Sequence, residues 1–210
     1  MYRTLISRTA AGSVTLNARM QNGLRVQGGL GTGRQLLNDC DFVEAVPEML
    51  HTFFGNPNRF FAFAARPLER CEENNGWRTS LQGLAAYTIP KVDVAVSVTW
   101  QSLPGVQLAA NNNTFATATT LGRGFSGGPF RAINIVEAGQ VFIERLNQID
   151  FRVAKLLRFG GTRTNVNFDF YNVTNSNAVI AENATFGAAW RTPQVILVPR
   201  LFKLSAQFDF

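Results

Sequence analysis

The chain has 210 residues, a formal net charge of +6 and only 16% charged residues, against roughly 25% in an average soluble domain. Abundant apolar residues exclude disorder, and a total of two cysteines excludes a disulfide-dense mini-domain. Frequent glycine argues against a helical bundle. The longest apolar run, residues 60–65, is far shorter than the ~20 residues of a membrane-spanning helix. A β-rich chain remains, either a soluble β-sandwich or a membrane β-barrel.

The start of the chain carries no secretory signal. Residues 1–8 lack the apolar core and the small-residue cleavage site of a signal peptide. Taken alone, this predicts a cytoplasmic protein. The alternative is that the sequence lacks its natural N-terminus.

Period-2 alternation recurs along the chain and predicts β-strands. In residues 92–101 the alternate positions from Val92 to Trp100 are apolar, and those from Asp93 to Gln101 are small or polar. Because successive strand side chains point to opposite faces, one face of this strand is apolar. The pattern predicts about seven strands of roughly ten residues, longer than usual. The other six are predicted at residues 14–20, 24–31, 81–87, 149–158, 165–171 and 202–210.

The residue types on the two faces favour a membrane barrel over a sandwich. The polar faces carry Asn, Gln, Ser, Thr, Asp and Arg with almost no Lys or Glu, and the apolar faces are rich in Phe and Val. Outer-membrane barrels place apolar residues toward lipid and polar residues toward the lumen. The predicted lipid-facing residues are Val94, Val96, Val98, Trp100, Phe168, Phe170, Phe202 and Leu204. The predicted lumen-facing residues are Arg19, Arg25, Asp150, Arg152, Asn167 and Asp169.

The connections between the predicted strands alternate between short and long. Short ones are Asn22-Gly23, which predicts a type I′ hairpin turn, and residues 89–91 and 159–161. The long ones exceed the usual limit of ~12–15 residues, and they are residues 37–76, 103–147 and 173–195. Outer-membrane barrels have short periplasmic turns and long extracellular loops. The fold class predicted is an all-β, antiparallel, up-and-down transmembrane β-barrel segment.

The last residues resemble the outer-membrane β-signal, with Lys203 as the polar residue, Ser205 as the small residue and Phe208 and Phe210 as the aromatic pair. The family pattern prefers Gly where Ser205 stands. The resemblance implies that the barrel-assembly machinery recognises this strand through its open edge and its aromatic stripe. The alternative is an ordinary amphipathic strand that ends in Phe.

Other segments resemble the C-terminal end of TonB-dependent receptors, and within them the Oar-like family, which carries an N-terminal carboxypeptidase-regulatory-like domain. The resemblance extends from about Gly12 to Phe210, and the segments that carry it are residues 87–94, 101–105, 145–152, 167–177 and 185–190. It implies a bacterial outer-membrane transporter that takes up a large or scarce solute with energy from the TonB complex.

The chain departs from that family in its size. Such receptors close twenty-two strands around a plug, whereas this sequence supplies about seven strands and no plug, an odd number that closes no ordinary bacterial barrel. We interpret residues 1–210 as the C-terminal portion of the barrel. Its expected partners are outer-membrane lipid, the barrel-assembly machinery, the missing plug and strands, and the TonB complex through the full-length protein. The alternatives are a stand-alone structural outer-membrane β protein and a surface adhesin.

The remaining polar residues suggest structure rather than catalysis. Cys40 and Cys71 flank the first long loop, where a disulfide would contribute roughly 3–4 kcal/mol; two free thiols are the alternative. His51 lacks a nucleophile and an orienting carboxylate, and the glycine-rich residues 122–128 lack the P-loop lysine. Basic residues are scattered singly, unlike a nucleic-acid surface. The sequence therefore predicts no enzyme, no cofactor, no metal site and no nucleic-acid partner.

Overall fold

The computed structural model describes residues 6–38, 40–45, 71–115 and 130–209. Their secondary structure is almost entirely β. The elements in chain order are β1 (Ile6–Arg19), β2 (Arg25–Asn38), α1 (Cys40–Ala45), β3 (Glu72–Asn74), β4 (Arg78–Ile89), β5 (Val94–Leu103), β6 (Asn111–Phe115), β7 (Phe130–Asn134), β8 (Leu146–Phe159), β9 (Thr162–Tyr171), β10 (Val179–Glu182), β11 (Pro193–Ile196) and β12 (Leu201–Asp209).

Seven long strands form one sheet in the order β1-β2-β4-β5-β8-β9-β12, and the short β3 also pairs with β2. Every pairing along this order is antiparallel. The prediction of an all-β, up-and-down antiparallel architecture is therefore confirmed. Within the described residues the sheet stays open, with β1 and β12 as its edges. The described part of the chain holds no helix with the length and apolarity needed to cross a membrane.

The strand registers bring residues of the same kind into rows across the sheet. Since cross-strand partners point to the same face, each row belongs to one face. One row is Ala85, Val98, Phe151, Phe170 and Phe202. The adjacent row, on the opposite face, is Ala86, Ser97, Arg152, Asp169 and Lys203. The sheet therefore has one apolar and one polar face.

The first hairpin turns at the predicted place but with a different geometry. The N–H of Gly23 donates to the carbonyl of Met20 at 3.1 Å, and the N–H of Met20 donates to the carbonyl of Leu24 at 2.8 Å. Gly23 has φ +90°, whereas Asn22 is not among the residues with positive φ. A type I′ turn needs positive φ at both, so that prediction is wrong. The turn is a three-residue connection that uses one left-handed glycine.

The long connections contain structure that the alternation pattern did not predict. The first includes α1 and β3, the second a hairpin of β6 and β7, and the third a hairpin of β10 and β11. The second and third pack on each other and form what we call the loop cluster, the described residues of 104–145 and 172–200. Its buried apolar side chains are Leu108, Ala110, Ile143 and Ala178, and none of the described side chains of the sheet adds to this core.

Hydrogen bonds join the two connections of the loop cluster. The N–H of Asn111 donates to the carbonyl of Ala184 at 2.7 Å, and the N–H of Phe186 donates back to the carbonyl of Asn111 at 2.9 Å. The indole N–H of Trp190 donates to the carbonyl of Ala109 at 3.1 Å. Burial and hydrogen bonding thus make the cluster a small packed unit at one end of the sheet.

We expect Gly105→Ala to destabilise the loop cluster. A Cβ at Gly105 would lie 2.0 Å from the carbonyl oxygen of Ile143 and 2.5 Å from that of Glu144. Because both atoms belong to the backbone, the cluster must shift, at a cost of about 2–3 kcal/mol. Urea denaturation in detergent micelles, with Trp77 and Trp100 replaced by Phe so that Trp190 alone fluoresces among the three tryptophans, measures the effect.

Gly161→Ala is the matched control, because its Cβ would meet nothing within 4 Å. We expect it to change the free energy of unfolding by less than about 0.5 kcal/mol. Equal transitions for both variants would contradict the packing of Gly105 described above.

Candidate functional site

The apolar face of the sheet is exposed over its whole width. Leu204 is 73% exposed, Val14 70% and Phe202 53%. The structure places all eight residues that were predicted to face lipid on this one face. The apolar face comprises Val14, Leu16, Leu30, Val94, Val96, Val98, Trp100, Phe151, Phe168, Phe170, Phe202, Leu204 and Phe208.

Aromatic rings reinforce this face near β12. The ring centroids of Phe170 and Phe202 are 4.0 Å apart, and those of Phe168 and Phe170 are 5.5 Å apart, both in edge-on geometry. Such pairs add stability beyond the area they bury. Within the described residues no second layer covers the face, and a contiguous apolar surface of this kind marks an interaction site.

The polar face carries all six residues that were predicted to face the lumen: Arg19, Arg25, Asp150, Arg152, Asn167 and Asp169. Arg19 and Arg25 are cross-strand partners beside the first short turn. Nearer the second and third short turns, the guanidinium of Arg158 pairs with the carboxylate of Asp93 at 2.8 Å. The polar face is therefore charged at its short-turn end.

The central charge pair of the polar face joins Arg152 and Asp169. The Nε of Arg152 donates to Oδ1 of Asp169, whose residue is only 2% exposed. The second carboxylate oxygen, Oδ2, is buried and has no hydrogen-bond partner. An unsatisfied acceptor on an ionised group is costly, so Asp169 depends on Arg152 for its stabilisation.

Asp150 has amide partners instead of an arginine among the described residues. Its Oδ1 accepts hydrogen bonds from the side chain of Gln148 and from the backbone N–H of Asn172, each at 2.8 Å. The Oε1 of Gln148 in turn accepts from the side chain of Gln101 at 3.1 Å. This chain of hydrogen bonds fixes Asp150 at the edge of a concavity.

That concavity has a volume of about 600 Å³ and lies on the polar face over β1, β2, β4, β5 and β8. The polar side chains that line it belong to Ser13, Thr15, Asn17, Gln27, Ser80, Gln82, Thr99, Gln101, Gln148 and Asp150. All but Asp150 are uncharged. The surface can therefore exchange many hydrogen bonds with a polar partner and presents one carboxylate.

Asn172 ties the end of β9 to the loop cluster, and sequence reasoning missed it. The residue is 2% exposed and has φ +51°. Its Nδ2 donates to the carbonyls of Ser176 at 2.8 Å and Val198 at 2.9 Å, and its Oδ1 accepts from the N–H of Ser176 at 2.8 Å. The one available signal was an asparagine directly after an alternating segment, since asparagine tolerates the left-handed conformation.

The cysteines are joined in a disulfide, with their Cα atoms 4.8 Å apart and 31 positions apart in sequence. Cys40 begins α1 and Cys71 directly precedes β3, so the bond lies at the long-connection end of the sheet. His51, residues 122–128 and Phe210 lie outside the described residues. Among the residues that are described, no cluster of His, Cys, Asp and Glu could hold a metal ion.

The geometry defines an open, up-and-down antiparallel β-sheet with one apolar and one polar face. Comparison with protein-family models, with curated proteins and with solved structures found no match to the chain. The chemistry of the two faces therefore carries the inference about function.

Replacing Asn172 by alanine is expected to destabilise the fold by about 3 kcal/mol. The change removes three buried hydrogen bonds and puts a Cβ-bearing residue without a polar side chain at positive φ. Asn172→Gly loses the same hydrogen bonds, but glycine adopts positive φ without strain. Its loss of stability should therefore be smaller than that of Asn172→Ala by about 1 kcal/mol. Thermal unfolding in detergent micelles, followed by circular dichroism, compares the variants.

The exposed Asn177 provides the control for this series. Asn177→Ala should leave the unfolding transition within about 0.5 kcal/mol of the parent. A parent-like transition for Asn172→Ala would contradict the role given to its side chain.

Removal of Arg152 is expected to cost about 2 kcal/mol, because Arg152→Gln leaves the buried carboxylate of Asp169 without its cation. Adding Asp169→Asn should restore about half of that loss, since a neutral amide needs no counter-ion. Urea denaturation of the parent, the two single variants and the double variant, all in detergent micelles, forms a double-mutant cycle. Arg163→Gln, at an exposed position of β9, serves as control, and an additive cycle would show that the pair is not coupled.

Proposed function

We propose that this chain forms the C-terminal part of the barrel wall of a TonB-dependent receptor in the bacterial outer membrane. The apolar face contacts lipid and the polar face lines the lumen. The observation that carries the proposal is the exposed apolar face, which crosses all seven long strands without interruption by a buried core.

Energetics favour lipid as the partner of that face. Each large apolar side chain removed from water contributes about 1.5–3 kcal/mol, and the apolar face offers more than ten of them. In a bilayer the backbone must satisfy its own hydrogen bonds, and the ladders of the inner strands do so. The seven long strands of the sheet have 9 to 14 residues, enough for the ~9–11 residues of a tilted transmembrane strand.

The connections support an orientation in the membrane. The three short turns lie at one end of the sheet and the three long connections at the other, as in barrels with periplasmic turns and extracellular loops. The loop cluster and the disulfide then lie on the extracellular side. A disulfide agrees with a chain that crosses the oxidising periplasm.

The last strand supports recognition by the barrel-assembly machinery. β12 pairs with β9 on one side, and its other edge has no partner among the described residues. Phe208 is 59% exposed on the apolar face, while Lys203 and Ser205 share the polar face. An open edge with an aromatic stripe is the surface that β-augmentation requires.

In the complete receptor the polar face would meet the plug, and gated uptake would draw on the TonB complex. The concavity offers that partner hydrogen-bond acceptors and donors with few fixed charges. These roles rest on the sequence resemblance. The chain supplies a wall, so the gate and its energy coupling belong to the remainder of the receptor.

Two single-tryptophan variants test the lipid contact. The chain has three tryptophans, so Trp77→Phe with Trp190→Phe leaves Trp100 on the apolar face, and Trp77→Phe with Trp100→Phe leaves Trp190 in the loop cluster. Each chain is refolded from urea into phosphatidylcholine vesicles with brominated acyl chains. We expect the bromines to quench most of the Trp100 emission and little of the Trp190 emission, because quenching requires contact.

Two results would contradict the proposal. One is a soluble, monodisperse preparation without detergent, which would favour a surface adhesin, since the exposed apolar face predicts aggregation in water. The other is equal quenching of both tryptophans. DNA upstream of Met1 that encodes an in-frame plug and signal sequence would distinguish a receptor from a stand-alone structural outer-membrane protein.

A further inference from the structure

Two arginines lie on the apolar face, at the end of the sheet that carries the long connections. Arg8 of β1 lies opposite Leu36, and Arg34 of β2 lies opposite Ala10, two positions along the same pair of strands. Both side chains share the face that carries Val14 and Leu30, by the same register. Arg8 and Arg34 are therefore diagonal neighbours at the rim of that face.

An exposed indole positions one of the two guanidinium groups. Trp77 directly precedes β4 and adjoins Arg34, since the next pair in the register joins Gly33 and Arg78. The guanidinium carbon of Arg34 lies 5.5 Å from the centroid of the Trp77 ring, and Trp77 is 59% exposed. A cation–π contact of this kind orients the guanidinium and leaves its N–H donors open.

Neither arginine has an acidic partner among the described residues. The ion pairs there join Arg152 to Asp169, Arg158 to Asp93 and Arg191 to Glu182. Glu72, on the neighbouring β3, accepts a hydrogen bond from the side chain of Asn38 at 3.2 Å. Two exposed cations at the border of an apolar surface thus lack a counter-ion within the part of the chain that the structure describes.

We propose that Arg8, Arg34 and Trp77 form a binding site for the phosphate headgroup of an anionic membrane lipid. The inference rests on the proposed function, because the lipid tails would lie against the apolar face next to Val14 and Leu30. The planar guanidinium fork matches phosphate oxygens in pairs. Tryptophan prefers the membrane–water boundary, where its apolar ring and polar N–H are both accommodated.

The experiment uses Trp77 as its own reporter. The full chain with Trp100→Phe and Trp190→Phe is reconstituted into mixed vesicles of phosphatidylglycerol and phosphatidylcholine, with bromine on one lipid at a time. The ratio of the two quenching curves gives the preference of the site for the anionic lipid. We expect a preference of roughly fivefold for each arginine that contacts the headgroup.

Three double variants test the residues of the site. R8Q/R34Q should lose the preference, and R8K/R34K should keep part of it because the charge remains. R19Q/R25Q removes the same charge from the same two strands, on the polar face at the opposite end, and should keep the full preference. A parent without preference, or equal losses in R8Q/R34Q and R19Q/R25Q, would overturn the proposal.

The same preparations separate this inference from the function on which it rests. If brominated lipid of either kind fails to quench Trp100 in its single-tryptophan chain, the apolar face does not contact lipid and the proposed function fails. If Trp100 is quenched but Trp77 reports no anionic preference, the face contacts lipid and only the headgroup site is wrong.

Discussion

The antiparallel hydrogen-bond ladder is the interaction on which the rest of this structure depends. No core of buried apolar side chains holds the seven long strands together within the described residues, so the backbone pairing and the cross-strand contacts do so. The register between the strands also decides which residues lie on the apolar face and which on the polar face. A slip of one residue between β8 and β9 would move Phe168 and Phe170 to the polar face and Asp169 to the apolar one.

The long strands of the sheet could be predicted from the sequence, because apolar and polar residues alternate strictly along them. The run from Val92 to Gln101 has a period of two and little ambiguity, and the structure has β5 over Val94–Leu103. The hairpins of the loop cluster were not predictable in this way. β6 begins with Asn111, Asn112 and Asn113, which have low strand propensity. These residues are extended because β7, in the same connection, pairs with them.

The functional surfaces were predictable to a similar extent. Which residues of one strand share a face follows from their odd or even position along it, so the placement of Phe170 and Asp169 on opposite faces needed no structure. Which polar groups meet across the sheet depends on the register between neighbouring strands. The pairing of Arg152 with Asp169, the hydrogen bond from the N–H of Asn172 to Asp150 and the stacking of Arg34 on Trp77 all depend on it. Asn172 depends in addition on a loop conformation that no periodicity encodes.

The directions of the edge strands limit how the sheet can be completed. Six antiparallel steps separate β1 from β12, so the two edges run the same way. A second copy in the same orientation would therefore meet this chain edge to edge with parallel strands. Closure by antiparallel pairing alone requires an inserted segment whose own first and last strands also run alike. Any such segment contributes an odd number of strands. This property of the segment is therefore known before its sequence is.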